Sequence, residues 1–79
     1  NPTGTYLTIN EIKNLRNNGF AYKMMIQILK YLESEFVNFE IELSAQTYLK
    51  KFYQSFGFVS KGSTYLEDGI EHVLMKKRI

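Results

Sequence analysis

The stretch that decides the fold is Arg16-Asn17-Asn18-Gly19-Phe20-Ala21, which lies between a polar segment and an apolar helical pattern. Gly19 and Ala21 carry little or no side chain, so a ligand can approach the main chain closely there. If a helix begins here, its first amide N–H groups have no partner within the helix and lie at the positive end of the helix dipole. The stretch therefore predicts a helix N-terminus suited to binding a diphosphate.

A helical pattern follows this stretch directly. Apolar residues recur at three- and four-residue steps and form one stripe, which comprises Phe20, Ala21, Met24, Met25, Ile28, Leu29, Leu32 and Phe36. We predict a helix from about Gly19 to Glu35. Upstream of it, Tyr6-Leu7-Thr8-Ile9 predicts a strand that extends toward Ile12, because β-branched and aromatic residues favour strands.

The next segment combines a strand pattern with a second helical one. Phe39-Glu40-Ile41-Glu42-Leu43 alternates apolar and charged residues and predicts a strand with one covered face. Ser44 is expected to cap the helix that follows. Its stripe comprises Ala45, Tyr48, Leu49, Phe52, Tyr53 and Phe56. Gly57 is placed to end that helix in the left-handed conformation.

Two further strands complete the chain. Phe58-Val59-Ser60 begins one strand, which Gly62-Ser63 is expected to break, and Ile70 to Met75 forms the last one after a turn at Asp68-Gly69. The order is strand, helix, strand, helix, strand, strand. We predict an α/β (α+β) fold with a mixed sheet, in which a right-handed crossover joins the first two strands in parallel.

Composition limits the class of protein. The chain of 79 residues allows one small domain over 1–79, and its net charge of +2 is too small to indicate a nucleic-acid partner. It contains no cysteine, which excludes disulfides and thiolate chemistry. The sequence shows no pattern of basic and then apolar residues typical of a signal peptide, and no apolar run of the roughly 20 residues needed for a membrane span. We expect a cytoplasmic protein without membrane or nucleic-acid partners.

A second set of residues adds a family resemblance. After Leu43-Ser44-Ala45-Gln46, Tyr53 lies four residues before Gly57-Phe58, downstream of a strand and within a helical pattern. Together with residues 16–21, this order resembles the GNAT family of N-acetyltransferases. Residues 43–46 and Tyr65-Leu66-Glu67-Asp68-Gly69-Ile70-Glu71-His72 look more narrowly like its ElaA-like branch. The resemblance runs from about Tyr6 to Met75.

The resemblance implies a fold, a reaction and a set of site residues. The fold would be the carboxy-terminal half of an acyl-CoA N-acyltransferase domain, in which the first two strands splay apart around the pantetheine arm. The co-substrate would be acetyl-CoA, the acceptor a primary amine of a small molecule or peptide, and no metal would be needed. Tyr53 would be the acid that protonates the leaving thiolate. Cofactor contacts would come from Arg16, Asn17, Asn18, Gly19, Phe20, Ala21 and Gln46, and acceptor contacts from Glu67, Asp68 and His72.

Other interpretations remain open at this point. Tyr53 and His72 are also compatible with purely structural roles, Gly19 with an ordinary turn, and Arg16 with a solvated surface. The chain could be a non-catalytic remnant that binds CoA or a protein partner. It could also complete its sheet with a missing amino-terminal half or with a second copy of itself. A nucleic-acid module built on Lys50-Lys51 is disfavoured, because the neighbouring aromatic residues share an apolar helical stripe.

Overall fold

The computed structural model describes residues 6–9 and 18–79. Their order confirms the predicted alternation of strands and helices. The elements are β1 (Tyr6–Thr8), α1 (Asn18–Glu35), β2 (Glu40–Gln46), one 3-10 turn (Thr47–Leu49), α2 (Lys50–Gln54), β3 (Val59–Glu67) and β4 (Ile70–Arg78). The predicted extension of the first strand to Ile12 falls outside the described residues.

The four strands form one mixed sheet in the order β1-β2-β4-β3. β1 pairs in parallel with β2, with Thr8 opposite Glu42, which confirms the parallel strand–helix–strand unit. β4 pairs antiparallel with both β2 and β3. Because β2 lies between β1 and β4, its two edges have different partners, and this difference shapes the candidate site below.

The core lies between one sheet face and the helices. β2 presents alternate residues to it, and Ile41, Leu43 and Ala45 are fully buried. Helix α1 covers them with the predicted stripe, of which Met25, Leu29 and Leu32 are buried. Helix α2 packs on the same side, where Phe56 meets Tyr22 of α1 at a ring-centroid distance of 5.2 Å. We call the opposite side of the sheet, which neither helix covers, the outer face.

The predicted cap at Ser44 is wrong. The alternation of buried and half-buried residues that begins at Ile41 continues through Ala45, so β2 extends to Gln46 and includes Ser44. Burying Ala45 on the core face gains more than an early helix start, because each buried position adds contact with α1. As a consequence, the Ser44 side chain points to the outer face.

The second helix is shorter than its stripe predicts. Only a 3-10 turn and five α-helical residues form, and Tyr48 is 72% exposed rather than part of the covered stripe. The later stripe positions do pack on the core, with Tyr53 buried and Phe52 and Phe56 half-buried. The prediction failed at its start because residues 45 and 46 belong to the strand.

The last two strands are longer than predicted. β3 continues through Gly62-Ser63 to Glu67, and a register shift between Lys61 and Tyr65 replaces the expected break. Gly62 has φ +78°, as a bulge glycine requires. β4 continues past Met75 to Arg78, and Lys76 lies 3.7 Å from Glu40 and 3.8 Å from Glu42. Lys76 therefore belongs to the sheet and pairs with the carboxylates of β2.

Gly57 ends the second helix as predicted. Its φ is +95°, its N–H donates to Gln54 O at 2.9 Å, and the Phe58 N–H donates to Tyr53 O at 3.2 Å. These two bonds satisfy carbonyls at the helix end in the pattern of a left-handed glycine cap. The same turn directs Phe58 into the core, where its ring meets that of Tyr53 at 5.8 Å.

Gly57→Ala is expected to lower the free energy of unfolding by about 1–2 kcal/mol, because an L-residue is strained in the left-handed region. The added Cβ would also lie 2.7 Å from Lys77 Nζ, a flexible end that can move away. Urea unfolding followed by circular dichroism measures the change. Gln54→Ala, an exposed position on the same helix, is the control and is expected to change stability by less than about 0.5 kcal/mol. Equal stabilities of the two variants would contradict this account of Gly57.

None of the helices within residues 18–79 is long and apolar enough to cross a membrane.

Candidate functional site

The N-terminus of α1 is the first part of the site. The helix begins at Asn18, one residue before the predicted start. Its first turn contains no acidic residue, so nothing there opposes an anion. Phe20 is 61% exposed, whereas Ala21 is only 2% exposed and packs inward on the core side. Ala21 can therefore act on a ligand through its main chain but not through its side chain.

Gly19 lies within the helix and is exposed. The interpretation as an ordinary turn glycine is therefore wrong. A helical backbone accepts any L-residue, and glycine at such a position costs roughly 0.5–1 kcal/mol relative to alanine. Glycine at this exposed position therefore lowers the stability of the helix. Close approach of a ligand to the main chain is a physical reason for a glycine there. Arg16 and Asn17, and the side chain of Asn18, fall outside the described part of the chain.

The second part of the site is the edge of β2 that faces β1. The Ile9 N–H donates to Glu42 O at 2.9 Å, which shows that the main-chain groups of Glu42 point toward β1. Main-chain directions alternate along a strand, so those of Ser44 and Gln46 point to the same edge. β2 continues four residues past this hydrogen bond. An extended ligand could therefore bond to β2 as an added strand would.

Gln46 was predicted to lie at the start of the second helix. It is instead the last residue of β2, opposite His72 of β4, and its side chain does not cap the 3-10 turn that follows. Its position at the end of this edge keeps a contact with an extended ligand geometrically feasible. The contact itself stays a prediction.

Tyr53 is the predicted acid, and it lies inside the core. Only 1% of it is exposed, and its ring meets Phe52 at 5.2 Å and Phe58 at 5.8 Å, both edge-to-face. This packing holds the Tyr53 ring in place, and a proton donor needs a fixed position. The acid role stays a prediction.

A third group of polar side chains lies on the outer face, and the sequence reasoning found only part of it. Ser44 Oγ donates to Glu67 Oε1 at 3.1 Å and also contacts the Tyr65 hydroxyl. Because the single hydroxyl hydrogen of Ser44 points to the carboxylate, the Tyr65 hydroxyl donates to Ser44. Ser44 was predicted only as a helix cap, and Tyr65 only as part of the ElaA-like sequence pattern. The alternation in residues 39–43 could have placed Ser44 on this face had it been extended by one residue.

His72 supports this outer-face group from below. It is 7% exposed, its Nδ1 lies 2.7 Å from Ile70 O, and its ring stacks on that of Tyr65 at 6.2 Å. A carbonyl oxygen can only accept, so Nδ1 carries the hydrogen. Asp68 has φ +55° and forms the hairpin turn with Gly69, which accounts for its place in the sequence. The structure therefore brings Glu67 and His72 together and leaves Asp68 in the turn.

Among the residues that the structure describes, no group of three or more His, Asp or Glu side chains is placed to hold a metal ion.

Comparison with known proteins agrees with this geometry. A family model described as an acetyltransferase (GNAT) domain matches residues 8–79. The chain belongs to this family. The match contains β2, both helices and the β3–β4 hairpin, and thus every part of the candidate site that the structure describes. The resemblance seen in the sequence is thereby confirmed.

The relatives place this GNAT chain near the ElaA-like branch. A UPF0039 protein of Schizosaccharomyces pombe is 42% identical over 62 residues, which is 77% of this chain and 41% of the relative. Protein ElaA of Escherichia coli is 34% identical over 65 residues, which is 82% of this chain and 42% of ElaA. The chain thus spans less than half the length of these relatives.

Solved structures show the same fold. A crystal structure of an acyl-CoA N-acyltransferase from Pseudomonas aeruginosa superposes with a TM-score of 0.81 at 27% identity, over 96% of this chain and 53% of that one. The crystal structure of Escherichia coli ElaA gives a TM-score of 0.72 at 32% identity, over 82% and 43%. The predicted fold, part of an acyl-CoA N-acyltransferase domain, is confirmed.

Proposed function

We propose that this GNAT chain is the acetyl-CoA-binding part of an N-acetyltransferase that acetylates a primary amine. The observation that carries the proposal is the first turn of α1, where an exposed helical glycine and the lack of acidic residues at the positive end of the helix dipole suit a diphosphate. Family membership supports acetyl-CoA as the source of that diphosphate.

The edge of β2 supplies the second element of the proposal. The pantetheine arm carries two amide groups, which can bond to the main chain of Ser44 and Gln46 as a neighbouring strand would. The thioester would then lie near the end of β2. An amide N–H at this edge is in place to stabilise the negative charge that develops on the thioester oxygen.

The reaction asks little else of the protein. The amine nitrogen attacks the thioester carbon, the C–S bond breaks and the thiolate leaves with the bonding electrons. Tyr53 donates its phenolic proton to that thiolate, because a phenol is protonated at neutral pH. The amine nitrogen gives up one proton to water, and the tyrosine that protonates the thiolate regains a proton from water. Holding the two reactants together supplies much of the rate.

Titration of the 79-residue chain with acetyl-CoA tests the proposal directly. We expect a measurable heat of binding and a higher melting temperature, since a ligand at a hundred times its Kd stabilises the folded state by about 2.7 kcal/mol. Acetylated pantetheine, which lacks the diphosphate, is the matched ligand and should bind more weakly. Absence of heat and of any melting shift at millimolar acetyl-CoA would contradict the proposal.

The alternative is a non-catalytic remnant that binds CoA without transferring the acetyl group. An assay with acetyl-CoA and a panel of primary amines separates the two. Release of CoA above the uncatalysed rate supports the transferase, and binding without turnover supports the remnant. We propose that the full activity uses additional sheet elements beside β1, supplied by a longer chain or by a second copy.

A further inference from the structure

We propose that Glu67 selects an acceptor that carries a second ammonium group besides the amine to be acetylated. The inference rests on the proposed transferase function and names its acceptor class. It follows from three observations on the outer face: how the Glu67 carboxylate is held, what it lacks and where it lies.

The Glu67 carboxylate is held away from its own strand. β3 and β2 are separated by β4, so their chains lie about 10 Å apart in a flat sheet. Glu67 nevertheless accepts a hydrogen bond from Ser44 of β2 at 3.1 Å. The end of the β3–β4 hairpin must therefore bend over the outer face, and the bulge at Gly62 provides the bend.

Two supports keep the carboxylate in this position. The Tyr65 hydroxyl donates to Ser44, and the Ser44 hydroxyl donates to the Glu67 carboxylate. The two hydrogen bonds thus form a chain that ends on the carboxylate. The ring of Tyr65 in turn rests on the buried ring of His72, which is tied to Ile70 O. The four side chains come from three adjacent strands, and the carboxylate is their exposed end.

Glu67 lacks a cationic partner among the described residues. The other carboxylates of the outer face, Glu40 and Glu42, both lie within 4 Å of the Lys76 ammonium. Glu67 accepts a hydrogen bond from the Ser44 hydroxyl and, within the described part of the chain, has no ammonium or guanidinium within ion-pair distance. A carboxylate that is oriented by hydrogen bonds and lacks a counter-charge is complementary to a ligand cation.

Its location connects this charge to the reaction. Through Ser44, the carboxylate reaches β2, and the thioester is proposed to lie along the opposite edge of the same strand. The Glu67 carboxylate and the thioester would then be separated by about one strand spacing, 5 Å. A short aliphatic chain between two amino groups can span this distance. Polyamines and lysine-containing peptides share this chemistry.

The test is an NMR titration of the ¹⁵N-labelled chain with spermidine. We expect saturable shifts at Ser44, Tyr65 and the single histidine of the chain, His72. Glu67→Gln keeps an oxygen that accepts from Ser44 but removes the charge, and should weaken spermidine binding at least tenfold. Glu71→Gln is the matched control: Glu71 lies on the same hairpin and accepts from Thr47 at 3.0 Å, but its side chain is on the other sheet face. This variant should bind like the unmodified chain.

The outcomes are distinct. Equal affinities of Glu67→Gln and the unmodified chain, or equal losses in both variants, would overturn the inference. A lysine-containing peptide is titrated in parallel, and the ligand with the higher affinity indicates whether the acceptor is a polyamine or a peptide. Tighter binding of either ligand to the unmodified chain than to Glu67→Gln supports the proposal. Acetyl-CoA is titrated separately and read at Gly19 to Ala21, so failure of the transferase proposal is seen at different residues.

Discussion

Gly19→Glu is expected to weaken acetyl-CoA binding by tenfold to a hundredfold, about 1.4–2.8 kcal/mol. The new carboxylate would stand at the first turn of α1, where the diphosphate is proposed to bind, and like charges a few ångströms apart repel even near the protein surface. The side chain would also fill the space that the glycine leaves open. Isothermal titration calorimetry of the two proteins measures the difference.

The same substitution should make the protein more stable, not less. An acidic residue near a helix N-terminus stabilises the helix by about 0.3–1 kcal/mol, and α1 has none in its first turn. Loss of affinity together with a raised melting temperature excludes misfolding as the cause. Gln27→Glu, an exposed position in the middle of α1, adds the same charge and should leave affinity nearly unchanged. If Gly19→Glu bound acetyl-CoA as tightly as the unmodified chain, the diphosphate would have to lie elsewhere.

Tyr53→Phe is expected to lower kcat of the active transferase by about a hundredfold to ten-thousandfold, which is the usual contribution of a positioned acid. Phenylalanine retains the ring and therefore the contacts with Phe52 and Phe58. The variant should bind acetyl-CoA with unchanged affinity, because only the proton donor is removed. Steady-state kinetics and calorimetry on the same preparation give both quantities.

Two further substitutions of tyrosine residues complete this test. Tyr48→Phe removes a hydroxyl from an exposed residue of the 3-10 turn and should leave kcat unchanged. Tyr53→Ala creates a cavity in the core and should cost about 3–5 kcal/mol of stability, as large aromatic truncations do. If Tyr53→Phe retained full turnover, Tyr53 would be a structural residue and another group would protonate the thiolate.

The long helix, the glycine that ends the second helix and the hairpin turn could be predicted from local pattern. The stripe from Phe20 to Phe36 admits one period only, and α1 ends at Glu35 as expected. Gly57 and the Asp68-Gly69 turn were also predicted correctly, since positive φ is a local requirement that glycine and aspartate meet. These features depend on neighbours within a few residues.

The boundary between β2 and the second helix could not be predicted locally. Ala45 fits both the strand alternation and the helical stripe, and its burial against α1 decides between them. The outcome moves Ser44 from a helix cap to the outer face, which creates its contacts with Tyr65 and Glu67. Ser44 thus forms one group with two residues that lie 21 and 23 positions further along the chain. No spacing in the sequence predicts this group.

The sequence by itself determined the order of the elements, the presence of a glycine in the first turn of α1 and the family resemblance. Periodicity, positive φ and short sequence patterns are properties of adjacent positions. Only the tertiary structure decided which edge of β2 faces β1 and how the β3–β4 hairpin bends over the outer face. The physical reason is that strand pairing and bulges bring distant residues together through packing, and packing is a property of the whole sheet.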